Sequence, residues 1–267
     1  MELQVNGATA YVYTGTHPVE PGRDTWVFVH GAGMDHSVWI LQSRYFAFHG
    51  ANVLAVDLPG HGRSGGEPLE SIEAQADWLA ALLDSAGLES ARVVGHSMGS
   101  LAALDMAARY PERVDALVLT GTGFPMPVAE PLLEAARADD PRAGEMIINW
   151  GMSPRSHLGG NQAPGLWLHG QGIRLLERAG PGVIFTDLAA CNAYDAGLER
   201  AAQVTCPVQY VLGSQDMMTP PKAGAKLATA MTAAQTQQVV LPGCGHMVPM
   251  ERPNEFLDAL IAFARGG

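Results

Sequence analysis

Only six residues, Gly95-His96-Ser97-Met98-Gly99-Ser100, separate an apolar run at residues 91 to 94 from a helical stretch at residues 101 to 110. So abrupt a passage from strand to helix drives its middle residue toward positive φ, and the residues two before and two after it must lack bulk. Gly95 and Gly99 meet that need, which raises Ser97 at the edge of a sheet as a candidate nucleophile. The N–H of Met98, opening the following helix, then points to where charge would develop on a substrate oxygen. Ala102, Ala103, Ala107 and Ala108 keep that helix slim enough to sit close to the sheet.

The preceding chain supplies the same strand-then-helix unit repeatedly. Residues 2 to 5 and 8 to 13 alternate loosely around Asn6-Gly7, the pattern of a hairpin at a sheet edge. Residues 26 to 29 read as a buried strand ending in His30-Gly31-Ala32-Gly33, at the C-terminal strand end where open α/β sheets bind ligands. The Ala32 N–H is the candidate second donor to an oxyanion. A helix is expected over residues 37 to 49 with Ser37 as N-cap, and Trp39 on it either lines a pocket or packs on the sheet. Residues 52 to 56 form the next strand and lead into Asp57-Leu58-Pro59-Gly60-His61-Gly62-Arg63-Ser64. That loop matches no phosphate-binding pattern, and Asp57 and His61 are expected to hold it through local hydrogen bonds. A helix over residues 69 to 86, stopped by Gly87, and a strand over residues 114 to 119 continue the pattern.

From residue 124 to about 204 no β run is visible. Helical pieces at residues 128 to 138, 142 to 150, 165 to 179 and 182 to 196 are separated by Pro and Gly clusters. The expected organisation is a core of residues 1–121 and 205–267, with residues 122–204 inserted as a helical cap over the ligand edge of the sheet. The sheet resumes at residues 207 to 212, followed by Gly213-Ser214-Gln215-Asp216, and Asp216 is the only acid between Arg200 and Glu251. A loop just after a strand end is where a carboxylate that orients a base belongs. A helix at 222 to 231 and a strand at 237 to 241 bring in Gly243-Cys244-Gly245-His246, so the order is Ser, Asp, His. A helix over residues 253 to 265 closes the chain.

Taken together, His30-Gly31 with Trp39, the Asp57 to Gly62 loop, Gly95-His96-Ser97-Met98-Gly99, Gly213-Ser214-Gln215-Asp216 and Gly243-Cys244-Gly245-His246 resemble the α/β-hydrolase superfamily throughout the chain. The resemblance is specific to its capped esterase, lipase and C–C hydrolase-like branch. It implies an α/β fold: a mostly parallel eight-stranded sheet with helices on both faces and a helical cap after the sixth strand. It implies Ser97 as nucleophile, His246 as general base, Asp216 as the acid, and Ala32 and Met98 as the oxyanion hole. Haloalkane dehalogenases and epoxide hydrolases place Asp where this chain has Ser97, which argues against both. Meta-cleavage C–C hydrolases commonly carry Asn just before the serine, where His96 stands here. The implied activity is hydrolysis of carboxylic esters through an acyl-enzyme, without metal or organic cofactor. C–C bond hydrolysis of a vinylogous diketone and a triad-bearing small-molecule receptor are the alternatives.

Sixteen basic against 27 acidic residues, a net charge of −11, argue against nucleic acid or an anionic membrane as partner. No apolar run approaches the roughly 20 residues of a membrane span, and Met1 to Gly7 show no signal-peptide pattern, so a cytoplasmic location is expected. Three cysteines, not spaced as a zinc site, fit a reducing compartment, and Cys244 reads as small filler. Met34, Met98, Met217 and Met247 fall within two residues of candidate site positions, while Met126, Met146 and Met152 lie in the insert beside Phe124, Trp150 and Trp167. The insert contains no Lys. The expected pocket, walled by Trp39, Met126, Trp150, Trp167 and Met247, suits a small-molecule ester with an uncharged short-to-medium acyl group.

Overall fold

The fold is described from a computed structural model, which covers residues 1–160 and 165–266. Asn6 and Gly7 both adopt positive φ, 50° and 82°, the backbone of a tight hairpin turn whose twist suits the strands it joins. They join β1 (Glu2–Val5) to β2 (Ala8–Tyr13) in antiparallel pairing. The remaining strands are β3 (Thr25–Val29), β4 (Asn52–Val56), β5 (Ala91–His96), β6 (Val114–Thr120), β7 (Val208–Gly213) and β8 (Thr236–Leu241). One eight-stranded sheet results, in the order β1-β2-β4-β3-β5-β6-β7-β8, antiparallel only at the β1–β2 and β2–β4 pairs. Every residue of β3, β4 and β7 is buried. Strands covered by helices on both faces have no solvent side, so their sequences are continuous apolar runs rather than alternations.

Helices α1 (Ile40–Phe48), α2 (Ile72–Ser85) and α3 (Met98–Arg109) follow β3, β4 and β5. Between β6 and β7 lie α4 (Glu130–Arg137), α5 (Arg142–Gly151), α6 (Pro154–His157), α7 (Leu168–Leu176), α8 (Val183–Ala193) and α9 (Gly197–Gln203), with no strand among the described residues. Then come α10 (Pro221–Ala230), the single turn α11 (Val248–Glu251) and α12 (Pro253–Ala264). Helix α1 packs against α12, whereas α2, α3, α9 and α10 pack side by side. Among the described residues, no helix is long and apolar enough to cross a membrane.

Two details depart from the sequence reading. Ser37 caps no helix: Asp35 caps a 3₁₀ turn (His36–Trp39), its carboxylate accepting the Ser37 N–H at 2.8 Å, and α1, which follows that turn, has no side-chain cap. Because the turn begins at Asp35, Ser37 lies inside it rather than at an N-cap position. Helix α2 starts at Ile72, not 69, because Ser71 accepts the Ala74 N–H at 3.1 Å.

The strand-to-helix passage is as tight as its glycines imply. Ser97 sits at φ 53°, ψ −120°. Its N–H still donates to Thr120 O at 3.0 Å, so β5 stays paired up to the turn. A Cβ on Gly95 would lie 2.2 Å from Gly99 O, and one on Gly99 would lie 2.5 Å from the carbonyl oxygens of Val29 and His30. Backbone cannot yield there as a flexible side chain would. Gly95→Ala is therefore expected to cost about 3 kcal/mol or more, a fall in melting temperature on the order of 6 °C or more by thermal denaturation. A Gly95→Ala protein with the wild-type melting temperature would contradict this packing.

Candidate active site

Three parallel strands end at the same edge of the sheet, and each delivers one candidate residue: β5 Ser97, β7 Asp216 and β8 His246. His246 Nδ1 lies 2.9 Å from Asp216 Oδ2. A carboxylate only accepts, so Nδ1 carries the proton and Nε2 keeps a free lone pair. Nε2 is buried without a hydrogen-bond partner among the described residues, and His246 and Ser97 line one cavity.

Asp216 accepts four hydrogen bonds: from Met218 N at 2.9 Å and Thr219 N at 2.8 Å on Oδ1, and from Thr219 Oγ1 at 2.8 Å and His246 Nδ1 at 2.9 Å on Oδ2. Burial alone would raise its pKa; the charge of His246 and these hydrogen bonds outweigh burial and hold the carboxyl below its usual value. The group is thus ionised at neutral pH. Thr219 escaped the sequence reading, although an Asp followed by free amides two and three residues on is the signature of a side-chain-capped turn.

Two further side chains fix the loop that carries His246. His96 Nε2 donates to the His246 carbonyl at 3.0 Å. Complete burial, aided by the nearby His246, lowers the His96 pKa to about 3, so its ring is neutral. Glu251, also buried, accepts Gly245 N at 3.0 Å on Oε1, and Ser153 N at 2.9 Å and Ser156 Oγ at 2.7 Å on Oε2. His246 N in turn donates to Gly151 O at 2.6 Å. The loop is therefore bonded to the chain joining α5 to α6. The His96 partner lies 150 residues away in sequence, and although Gly245 is only six residues from Glu251, Ser153 lies 98 away.

The two expected oxyanion donors are available. Met98 is the first residue of α3, so its N–H has no intrahelical acceptor. Ala32 N donates to no acceptor among the described residues, and Ala32 lines the same cavity as Ser97. A Cβ on Gly31 would lie 3.1 Å from Ser97 Cβ, so this turn and the serine pack closely. The loop after β4 is held less locally than expected. Asp57 accepts Arg63 N within the loop, but also His36 N and His36 Nδ1; His61 bonds Pro59 O within it, but also Asp187 Oδ2 on α8.

The cavity encloses about 370 Å³ and has Ala32, Ser97, Thr219 and His246 at its polar end. Met126, Val128, Leu132, Trp150, Leu188, Cys191, Met217 and Met218 make up most of the rest, and among the described residues no Lys, Arg, Asp or Glu lines it. Of the five expected wall residues, Met126 and Trp150 line this cavity and three do not. Trp39 is fully buried between Phe28 and Phe256, ring centroids at 5.4 and 6.1 Å, as the packing alternative has it. Trp167 is 61% exposed and stacks on His169. Met247 is buried against Gly151. Leu132, Leu188, Cys191 and Met218 take part instead, and burial pushes the Cys191 thiol far up, so it serves as an uncharged wall.

Among the described residues, Asp35, His36 and Asp57 have metal-ligating atoms within 4.8 Å of one another. Those atoms are already engaged: Asp35 with Ser37 N and Arg178, Asp57 with His36 and Arg63 N. The group is a hydrogen-bonded structural cluster.

Burial of neutral histidines makes stability depend on pH. His30, which donates from Nδ1 to Gly31 O and accepts Leu58 N at Nε2, has its pKa lowered by burial to about 4. With His96 at about 3, both fall below the ordinary value near 6.5. Below about pH 6.5 the unfolded chain takes up two protons that the fold refuses. Stability then falls with acidification by about 1.4 kcal/mol per pH unit for each histidine, down to its folded pKa. The His61 pKa is raised, so its contribution is complete below about pH 6.5 and adds no slope there. Melting temperature should decline steadily from pH 6.5 toward 4.5, with the slope about halved in His96→Asn. A flat wild-type profile across that interval would contradict the assignment.

The family model described as the alpha/beta hydrolase family matches residues 26–259. A pimeloyl-[acyl-carrier protein] methyl ester esterase of Neisseria meningitidis is 34% identical over 228 residues, covering 80% of this chain and 83% of that protein. A 2-hydroxy-6-oxo-6-phenylhexa-2,4-dienoate hydrolase of Burkholderia cepacia is 26% identical over 265 residues, covering 90% and 87%. A solved thermophilic esterase superposes with a TM-score of 0.80 at 26% identity, covering 100% of this chain and 97% of that one. The sheet order, the turn at Ser97 and a match over most of the chain converge: this protein belongs to the alpha/beta hydrolase family.

Proposed function

We propose that this hydrolase cleaves carboxylic esters of uncharged, short-to-medium acyl groups through an acyl-enzyme. The observation that carries the reading is an apolar cavity of about 370 Å³ without a charged wall residue, reaching Ser97 and a His246 whose Nδ1 is held by Asp216. Ser97 Oγ attacks the ester carbonyl carbon and its proton passes to His246 Nε2. The carbonyl oxygen becomes an oxyanion, bonded by Ala32 N–H and Met98 N–H. Asp216 stabilises the imidazolium through Nδ1. Collapse expels the alcohol, which leaves with the proton from Nε2. Water, deprotonated by the same nitrogen, then frees the acid and restores Ser97. Residues 122–204 act as a cap, supplying Met126, Leu132, Trp150, Leu188 and Cys191 to the wall.

The relatives' names point to two chemistries, an ester and a dienoate C–C bond. A carboxylate-bearing substrate buried here would find no Lys or Arg in the wall, and an unpaired buried charge is strongly disfavoured. That favours the ester.

Ser97→Ala should lower kcat by about 10⁴-fold or more with the fold intact. Retention of a tenth of wild-type kcat would remove Ser97 from its role. Across p-nitrophenyl esters, kcat/KM should rise over the first few carbons by up to about fourfold per CH₂, the equivalent of 0.8 kcal/mol, and then fall as the cavity fills. Faster turnover of palmitate than butyrate, of a dicarboxylate monoester, or of a vinylogous diketone would each overturn the substrate class.

A further inference from the structure

Beneath the turn that carries Ala32, three parts of the chain meet outside the cavity. Asp187 Oδ2 on α8 lies 2.8 Å from Gly33 N and 2.8 Å from His61 Nε2, while His61 Nδ1 lies 2.9 Å from Pro59 O. A carbonyl and a carboxylate only accept, so both ring nitrogens of His61 must donate and the ring is an imidazolium. Burial opposes that charge, but Asp187 overcomes it and keeps the His61 pKa above its ordinary value. The other titratable groups around the pair are accounted for: His30 is neutral with both nitrogens engaged, Asp57 is bonded to His36 and Arg63 N, and the Cys191 thiol is un-ionised. Asp187 and His61 are both buried, and Asp187 Oδ1 has no hydrogen-bond partner among the described residues. A carboxylate left half-unsatisfied is poorly explained by packing alone.

Its one backbone partner gives the explanation. Met34 N donates to Gly31 O at 3.1 Å, closing a turn whose central residues are Ala32 and Gly33, with Gly33 at φ +67°. The peptide linking those two residues is the one that flips between alternative turn types. Such a flip leaves the Ala32 N–H, on the preceding peptide, unturned; Asp187 acts instead by holding the Gly33 N–H and so anchoring the whole turn that carries Ala32 against α8. A Cβ on Gly33 would lie 2.8 Å from Ile184 Cγ1, so the turn is also pressed directly against α8. Leu188, the next residue on that helix, and Cys191, one turn on, line the cavity.

We propose that Asp187, charge-balanced by His61, is a positioning residue for the oxyanion donor Ala32, so that helix α8 both contacts the acyl group and sets the turn that stabilises the oxyanion. The inference rests on the acyl-transfer reading above. Two quantities test it together: p-nitrophenyl butyrate kinetics, and the affinity of butylboronic acid, whose tetrahedral serine adduct occupies the oxyanion site. Asp187→Ala should lower kcat by about 10- to 100-fold with KM within about threefold, and weaken the boronic acid by a similar factor. Asp187→Asn, which keeps an acceptor for Gly33 N–H, should recover most of both losses. A purely structural role would lower the melting temperature and leave kcat and boronate affinity unchanged, which would overturn the proposal. If Asp187→Ala does not fold, ¹⁵N shifts of the wild-type His61 ring at pH 7.5 decide: a doubly protonated ring supports the charge balance, a neutral ring overturns it. Wild type that neither hydrolyses the ester nor takes up the boronic acid would overturn the acyl-transfer reading itself. An active wild type with an unimpaired Asp187→Ala would overturn the positioning role alone.

Discussion

The close approach of β5 to α3 is the constraint on which the remaining geometry depends. With only hydrogen at the Cα atoms of Gly95 and Gly99, the helix start reaches the carbonyls of Val29 and His30 at the end of β3. This proximity seats the first turn of α3, with the Met98 N–H, against the end of β3, whose following turn carries Ala32. Bulk at either glycine would push the helix off the sheet and separate the donors. One steric condition thus sets the strain at Ser97, the seating of α3 and the spacing of the candidate oxyanion site.

Convergence of strand ends leaves a second problem, since the loops there carry amides that no longer have a strand to pair with. Buried carboxylates solve it: besides Asp35, which takes the Ser37 amide, four others do so. Asp57 takes the amides of His36 and Arg63, Asp187 that of Gly33, Asp216 those of Met218 and Thr219, and Glu251 those of Gly245 and Ser153. Three of the four connect segments far apart in sequence, so the acids also act as cross-links between loops. Only Asp216 also touches the candidate base, and that contact distinguishes it from acids doing structural work.

How much of this the sequence reveals follows from the range of each interaction. The strands were legible because burial on both faces writes continuous apolar runs, and the hairpin because Asn6-Gly7 suits its turn. Ser97, Asp216 and His246 could be proposed because each sits just past a strand end in a recognisable order, a local property. His96 and Asp187 could not, since their partners lie 150 and 154 residues away, nor could the link from Glu251 to Ser153, 98 residues away. The side chains facing the cavity were half legible: Met126 and Trp150 but not Leu188 or Met218, and Trp39 only as one of two alternatives. Which face of a helix in the insert looks down on the sheet is decided by packing between helices, and composition carries no trace of it.

Four buried histidines near this edge show how environment alone divides one residue type into different roles. His30 gives one nitrogen to a carbonyl and receives an amide on the other, which locks it neutral. His61 faces two acceptors and is locked as a cation. His96 donates to the His246 carbonyl and is kept neutral by complete burial. His246 alone combines a carboxylate on one nitrogen with a free nitrogen on a residue that lines the cavity. A base must gain and lose a proton without dismantling its surroundings. At His30 and His61 protonation or deprotonation would break an existing hydrogen bond, and at His96 it would place an uncompensated charge in the interior. At His246 an incoming proton would meet an ionised Asp216 with no bond lost, which is why the proposed proton-transfer role is assigned to that ring.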